Sequence, residues 1–470
     1  MTMFSASLFQ ARRAALVARL RADGARGLVL LPGHVASPMN YRDNAYDFRQ
    51  DASFLYFCGL AQPGLALVID LDDDVATLHG DDASVDDVVW TGPLPRLAER
   101  AERAGIPRHA PFERLRPLLA NAHAGSRPVH FLPPYRGETR LAIAAWLGLA
   151  DAALDSAASR PLVRAVIALR SVKAGEEIAE IEDALQVTRD LHLLAMRSTR
   201  AGVVEQQIVG AMEGLALARG RRLAYAPIFT SRGEILHNHD HSVRLAGDEL
   251  VVNDTGANSP AGYASDITRT LPASGRFEGL RAELYDIVLA AQTKAIEAMR
   301  PGVPYRDVHE LACRTMVEGM TALGFMRGDP HEAVQEGAHA IFFPHGLGHM
   351  MGLDVHDMES LGEDEVGYGE ESRRSAVFGH KSLRLARPLQ AGFVVTVEPG
   401  LYINRFLTER WQAEGRHARF IDYAMFERHR DVGGIRIEDD VLVTADGARV
   451  LGPHIPRTRA EVEAACAAQA

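Results

Sequence analysis

The chain has 470 residues, 47% hydrophobic and 24% charged, with a formal net charge of −11. That length suits two or three domains with large cores. The acidic balance argues against nucleic acid or an anionic membrane as a general partner, and no apolar run reaches the ~18 residues of a membrane span. Cys58, Cys313 and Cys466 are odd in number and far apart, which disfavours a disulfide framework or a cysteine metal site and fits a cytoplasmic address.

The opening "MTMFSASLFQARRAALVARLRADGARGLVLL" mixes Arg through its apolar positions. It predicts an amphipathic helix, a turn and a strand rather than a signal peptide. Short strands such as "GLVLL" and "LALVID" alternate with Arg- and Ala-rich helices up to about residue 155, an α/β pattern. The acidic run "DLDDDVATLHGDD" lacks the glycine and terminal Glu spacing of an EF-hand loop and reads as a solvated strand and turn. The domain boundary is expected at 158/159.

Beyond it, "SVKAGEEIAEIEDALQVTRDLHLLAM" sets Ile178, Ile181, Leu185 and Leu191 on one helical face. "GLRAELYDIVLAAQTKAIEAMRPG" does the same with Leu280, Leu284, Ile287, Val288 and Ala291, and stops at Pro301-Gly302. Arg200, Gly202 and Val203 recur one hundred positions later as Arg300, Gly302 and Val303, each followed by a second helix. If this echo reflects a duplication, it predicts two similar α+β halves with a cleft between them.

"ELVVNDTGANSPAGYASDITRTL" reads as a hairpin whose midpoint near residue 260 sets Asp254 opposite Asp266. Facing strand residues have Cβ atoms ~5 Å apart, so one acid must be protonated or a cation must lie between them. Glu398 closes the apolar run of "AGFVVTVEPGLYI". In "GGIRIEDDVLVT", Ile435 and Ile437 take one face while Arg436 and Glu438 take the other. A single buried Glu could be an ion pair with Arg436. Four acids that each end or interrupt an apolar strand are harder to explain that way, because unpaired buried charge is costly.

"FFPHGLGHMMGLDVHD" carries His345, His349 and His356. His345 and His349 have the spacing of a helical zinc pair, but Gly346 and Gly348 lie between them and no Glu follows His345. Four carboxylates and one imidazole would hold two divalent ions, and oxygen-rich ligation favours manganese or magnesium over structural zinc. One histidine is enough as a ligand, which leaves the others for substrate and protons.

"HNHDH", "NDTGA", "SDITRT", "HGLGHMMGLDVHD", "TVEPGLY" and "GIRIEDDVLVT" occur in the order found in the aminopeptidase P and prolidase family. "FRQDASFLYFCGL" resembles that family's amino-terminal domain, and "LGPHIPRTRAEVEA" resembles its carboxy-terminal end. The resemblance implies an α/β amino-terminal domain, 1–158, and an α+β pita-bread catalytic domain with pseudo-two-fold halves, 159–470. It implies metal ligands Asp254, Asp266, His349, Glu398 and Glu438, with Asp266 and Glu438 bridging two ions, manganese being the expected metal. His237, His345, His356 and Glu398 match catalytic positions, with Glu398 the proton carrier and His356 beside the oxyanion. Arg384 and Arg436 are the expected substrate-binding residues.

The implied substrate is a proline-containing peptide, cut at an amino-terminal Xaa-Pro bond. A homo-oligomer, dimer or tetramer, is expected, with no nucleic acid or membrane partner. Prolidase is the alternative: His349 to Glu398 spans 49 positions and Glu398 to Glu438 spans 40, longer than in compact aminopeptidases P. Arg384 also resembles a prolidase arginine that grips the dipeptide carboxylate, although a surface arginine fits the sequence equally well. A methionine aminopeptidase normally lacks the first domain. Organophosphate hydrolysis stays open as a side activity, and a non-enzymatic binding module would be expected to have lost ligands.

Overall fold

A computed structural model describes residues 4–370 and 372–468. The chain forms two compact units, a first up to Arg170 together with Met358–Gly362, and a second covering Ser171–Asp357 and the chain from Glu363 onward. The helix Arg160–Ser171 therefore goes almost wholly with the first unit.

The first unit is built on a five-stranded mixed sheet. Leu28–Pro32 pairs antiparallel with Ala66–Asp70 and parallel with Val129–Phe131, while Val75–His79 and Arg108–Ala110 extend the other edge. "LVLL" is continuously apolar because both faces are covered. Leu28 and Leu30 pack with Leu115, Leu119, Phe131 and Ile143. Helix Ala6–Ala22, whose N-cap is Ser5, buries Phe9, Leu16, Val17 and Leu20. The acidic run forms the turn between Ala66–Asp70 and Val75–His79, where Arg127 pairs with Asp70 and Asp72.

The second unit carries the echo into its backbone. Gly202 and Gly302 both turn with positive φ, +83° and +87°. The amides of Leu245 and Leu389 each bond the carbonyl of the Val that follows, Val203 and Val303, at 2.9 Å. The amides of Gly202 and Gly302 return bonds of 2.8 Å to Leu245 and Leu389. Each turn then leads into a helix, Glu205–Ala218 and Tyr305–Ala322. Two long helices, Gly175–Ser198 and Gly279–Ala298, precede these turns and bury the predicted faces, with Ile178, Leu280 and Ile287 only half-buried. Each half also owns a three-stranded antiparallel sheet, one of Ile228–Thr230, Leu250–Asp254 and Thr268–Pro272, the other of Val394–Val397, Asp439–Val443 and Ala448–Val450.

One expectation is corrected here. Asp254 lies opposite Thr268, not Asp266. The turn uses three residues, Pro260 to Gly262, with Gly262 at φ +90° and the Ser259 amide bonded to the Tyr263 carbonyl at 2.8 Å. A three-residue loop ending in a left-handed glycine centres the ladder on Ala261, one residue later than the sequence suggests. Moving the partner by two positions keeps the same face, so both acids still point to one side.

Candidate metal centre

Three backbone devices deliver the acids and the imidazole to one place. The first is this hairpin. Tyr225 Oη lies 2.6 Å from Asp254 Oδ1 and 2.5 Å from Asp266 Oδ1. One phenolic proton cannot satisfy both carboxylates. The second device is the glycine-rich segment, which is neither a helix nor a free loop. It runs antiparallel along the strand Val394–Val397: the Met351 amide bonds Val394, the Thr396 amide bonds His349, and the Glu398 amide bonds Leu347. That register puts His349 and Glu398 diagonally on one face. Gly348 is required, because a Cβ there would stand 2.1 Å from the Thr396 carbonyl oxygen and 2.7 Å from Tyr305 Oη.

The third device is the segment after Gly434–Arg436. Alternation buries Ile435 and Ile437, and both Arg436 and Glu438 line the cavity. The Glu438 amide bonds the Thr268 carbonyl at 3.0 Å, and Thr268 Oγ1 donates to Glu438 Oε2 at 2.6 Å.

The His349 ring is oriented from behind. Its Nδ1–H donates to the Met350 carbonyl at 3.0 Å, which leaves Nε2 facing Asp266 Oδ2 at 3.5 Å and Glu398 Oε1 at 3.8 Å. This is how proteins aim a ligating imidazole. Donor atoms of Asp266, His349 and Glu438 all lie within 4.8 Å of one another.

The electrostatics record the strain of so many acids together. Burial raises Asp254, with Asp266 adding to it against the pull of Arg436. Burial lifts Glu398 to about 7 and, with Asp266 and Glu398 beside it, Glu438 well above the carboxylate range. Asp266 alone is lowered: burial opposes its charge, but His349 and Tyr225 outweigh that. Burial likewise opposes charge on His349, yet Asp266 and Glu398 raise it to about 9. The group is short of positive charge, and a proton on His349 Nε2 stands where a metal cation would. The donor set therefore fits divalent metal.

Every residue singled out from the sequence lines one cavity of about 170 Å³: His237, Asp254, Asp266, His345, His349, His356, Arg384, Glu398, Arg436 and Glu438. Of the histidines in "HNHDH", only His237 reaches it; His239 and His241 turn to the Pro227 and Phe229 carbonyls. The His356 ring stacks on His349 with centroids 3.8 Å apart. His345 sits in a relay in which Arg436 Nη1 donates to Tyr402 Oη at 2.9 Å, and Tyr402 Oη lies 2.9 Å from His345 Nε2. His345 Nδ1 donates to the Gly346 carbonyl at 2.8 Å, and burial drops the ring to about 3, so it is neutral.

The two arginines differ. Arg436 is buried and all three of its nitrogens donate to protein, to Thr268, Tyr402 and, at 2.6 Å, to Asp254. Its ion pair is with Asp254 rather than with Glu398 or Glu438. Arg384 is partly exposed and has Nη1 3.4 Å from Glu363.

Tyr225, Thr268 and Tyr402 escaped the sequence reading. Thr268 carried a signal, because it follows Asp266 by two and shares its face. Tyr402 lies in the quoted "TVEPGLY". Tyr225 had none, since it precedes Ile228–Thr230 in an irregular stretch.

Residues 179–445 match metallopeptidase family M24, and residues 9–130 match the aminopeptidase P amino-terminal domain. Two proteins named probable Xaa-Pro aminopeptidases, from Uncinocarpus reesii and Verticillium alfalfae, are 31% and 32% identical to the chain. Those alignments cover 96% and 95% of this chain and 92% and 94% of the relatives. The solved structure of Pseudomonas aeruginosa aminopeptidase PepP superposes with a TM-score of 0.79 at 26% identity, covering 100% of this chain and 99% of that one. Zinc-substituted Escherichia coli aminopeptidase P in complex with product gives 0.79 at 29%, covering 99% of each.

The fold and the buried acid cluster thus define an M24 metallopeptidase. Within that class the chain belongs to the aminopeptidase P family. Among the described residues no helix is long and apolar enough to cross a membrane.

Proposed function

We propose that the protein is an Xaa-Pro aminopeptidase that works with two divalent ions, manganese preferred. The observation that carries this reading is His349 Nε2 turned onto Asp266 and Glu398 inside the cavity. Asp254, Asp266, His349, Glu398 and Glu438 would hold the ions. Four carboxylates gather around one buried guanidinium, that of Arg436, so the cluster is short of positive charge, and its mostly oxygen donors favour manganese. When bound, such ions supply Lewis acidity and make water a nucleophile at neutral pH.

This chain's residues do the rest. Glu398, 3.8 Å from His349 Nε2 on the cavity wall, would take a proton and return it to the leaving proline nitrogen. His356, stacked on His349 at the cavity wall, would stabilise negative charge developing on the carbonyl oxygen. Neutral His345, whose two ring nitrogens are held by Gly346 and Tyr402, would shape the cavity wall, and His237 would offer its ring to the peptide. Arg436 anchors Asp254 and Tyr402 rather than substrate.

The test is hydrolysis of Ala-Pro-Ala and Ala-Pro by protein stripped of metal and reloaded with manganese. Release of alanine from the tripeptide supports the reading; no cleavage of either, with metal bound, overturns it. A second reading, prolidase, draws on Arg384, which lines the cavity while partly exposed and has the bidentate fork for a free carboxylate. Cleavage of the dipeptide alone would establish it. A cytoplasmic location belongs to the same reading, supported by three unpaired cysteines. So does a homo-oligomeric state, which light scattering would test.

A further inference from the structure

A second cluster of donor side chains lies outside the cavity. Helix Tyr305–Ala322 carries His309 and Cys313 one turn apart, and such i, i+4 side chains share a face. The short turn Ala338–Ile341 brings His339 against them. All three side chains are fully buried, and one donor atom from each lies within 4.8 Å of the others.

Three observations point to a cation. Cys313 Sγ is 3.5 Å from His309 Nε2. Sγ is also 3.9 Å from His309 Nδ1, so the sulfur lies beside the ring, and a turn of that ring would bring Nε2 and Sγ onto one tetrahedral ion. Both ring nitrogens of His339 are buried without a hydrogen-bond partner, which is uncommon for any buried polar group. His380 borders the cluster, with its ring centroid 4.8 Å from that of His339 and 5.7 Å from that of His309. Its Nε2 donates to the Val334 carbonyl at 2.8 Å, which leaves Nδ1 as an acceptor, the outer-sphere arrangement of a metal-bound histidine.

We propose that His309, Cys313 and His339 form a structural zinc site, which His380 Nδ1 would complete by moving in from just outside that trio. The donors are nitrogen and sulfur with no carboxylate among them, the set that zinc takes in closed tetrahedral sites. Zinc displaces the Cys313 thiol proton to solvent, so binding forms one metal–thiolate bond for each proton released. The site ties helix Tyr305–Ala322 to the chain entering the glycine-rich segment. Phe343 carries that tie forward, packing 5.5 Å from the His309 ring and 4.8 Å from the His345 ring, centroid to centroid.

Cobalt(II) reports the ligand type directly. Full-length protein stripped with chelator and reloaded with cobalt should show an intense near-ultraviolet sulfur-to-cobalt band, which the carboxylate-rich centre cannot produce. The band should vanish in C313A and survive in the C58A/C466A double variant, and C313A should bind one equivalent of metal less by elemental analysis. Absence of the band in wild type, or its persistence in C313A, overturns the proposal. If C313A fails to fold, the double variant decides: Cys313 is then the sole thiol, and its band, present or absent, supports or overturns the site.

Discussion

The second unit holds two histidine clusters built on opposite terms. Around His349 the donors are four carboxylates, three buried and Glu398 half-buried, opening onto a cavity. Around His339 they are neutral rings and a thiol, sealed from solvent, and burial pushes His309 to about 3 and His339 well below its ordinary value. Grouped acids cannot all be charged without a counter-cation, so the first cluster demands positive charge and faces the solvent that supplies it. Neutral donors make no such demand, so the second can be closed. An open, oxygen-rich site suits ions that bind substrate and water; a closed nitrogen–sulfur site suits structure.

Chelation separates the two most strongly. Treatment with EDTA should abolish peptidase activity, and manganese should restore it better than magnesium or zinc. Elemental analysis during the treatment should show the cavity metal leaving ahead of any sulfur-bound zinc, because the first site is open. Full activity in protein verified free of metal would remove the first cluster from the mechanism.

Within the first cluster, His349 and His356 stack yet should fail differently. H349A loses the nitrogen aimed at Asp266 and Glu398, so metal content should drop along with activity. H356A should keep its metal and lose turnover by ~10²-fold or more. Metal loss in H356A with retention in H349A would exchange the two roles.

The difference between the clusters also explains what the sequence revealed. Asp254, Glu398 and Glu438 stand at the ends of apolar strands, where a charge contradicts its surroundings, and period-2 alternation alone sets Arg436 beside Glu438 on the cavity side. The ladder register was less legible. Whether "NSPAG" turns in two, three or four residues depends on Gly262 adopting positive φ, which no composition signal states. The sulfur cluster gave no such contradiction. Buried His and Cys on an apolar helix face look like ordinary core, and His339 joins them only through the tertiary fold. The helical spacing of His345 and His349 is offset in the sequence by Gly346 and Gly348, and the structure agrees, since the close approach at Gly348 imposes an extended course.

Arg384 tests how the cavity reads the far side of proline. A prolidase needs a cation for the carboxylate that follows proline directly, whereas in a longer peptide that charge lies further off. R384A should therefore cost Ala-Pro about tenfold more in kcat/KM than it costs Ala-Pro-Ala, the scale of one charge-assisted hydrogen bond at a partly solvated position (~1.4 kcal/mol). Equal, small effects on both substrates would make Arg384 a partner of Glu363 only, and the dipeptide reading would lose its support.

The smallest effect is on stability, and its sign distinguishes a cluster short of cations from one that is not. In metal-free protein Glu398 is raised to about 7 and His349 to about 9. A group whose pKa rises on folding stabilises fully below its unfolded pKa and stops doing so as pH passes its folded one. The Glu398 contribution should therefore fade between about 4.5 and about 7, and that of His349 between about 6.5 and about 9. Asp266, which is lowered, contributes throughout that window and loses its contribution only in acid. Both fading terms have the same sign, but His309, His339 and His345, held below their ordinary value by burial, oppose them between pH 5 and about 6.5, so the comparison with metal-loaded protein, which shares those opposing terms, carries the test. Protein held in excess manganese should diverge from it, because metal binds best once those protons have left. The gap between the two melting curves should widen with pH. A gap that stays constant or narrows as pH rises would mean that the acids are already satisfied without metal, and the contrast between the two clusters would fail.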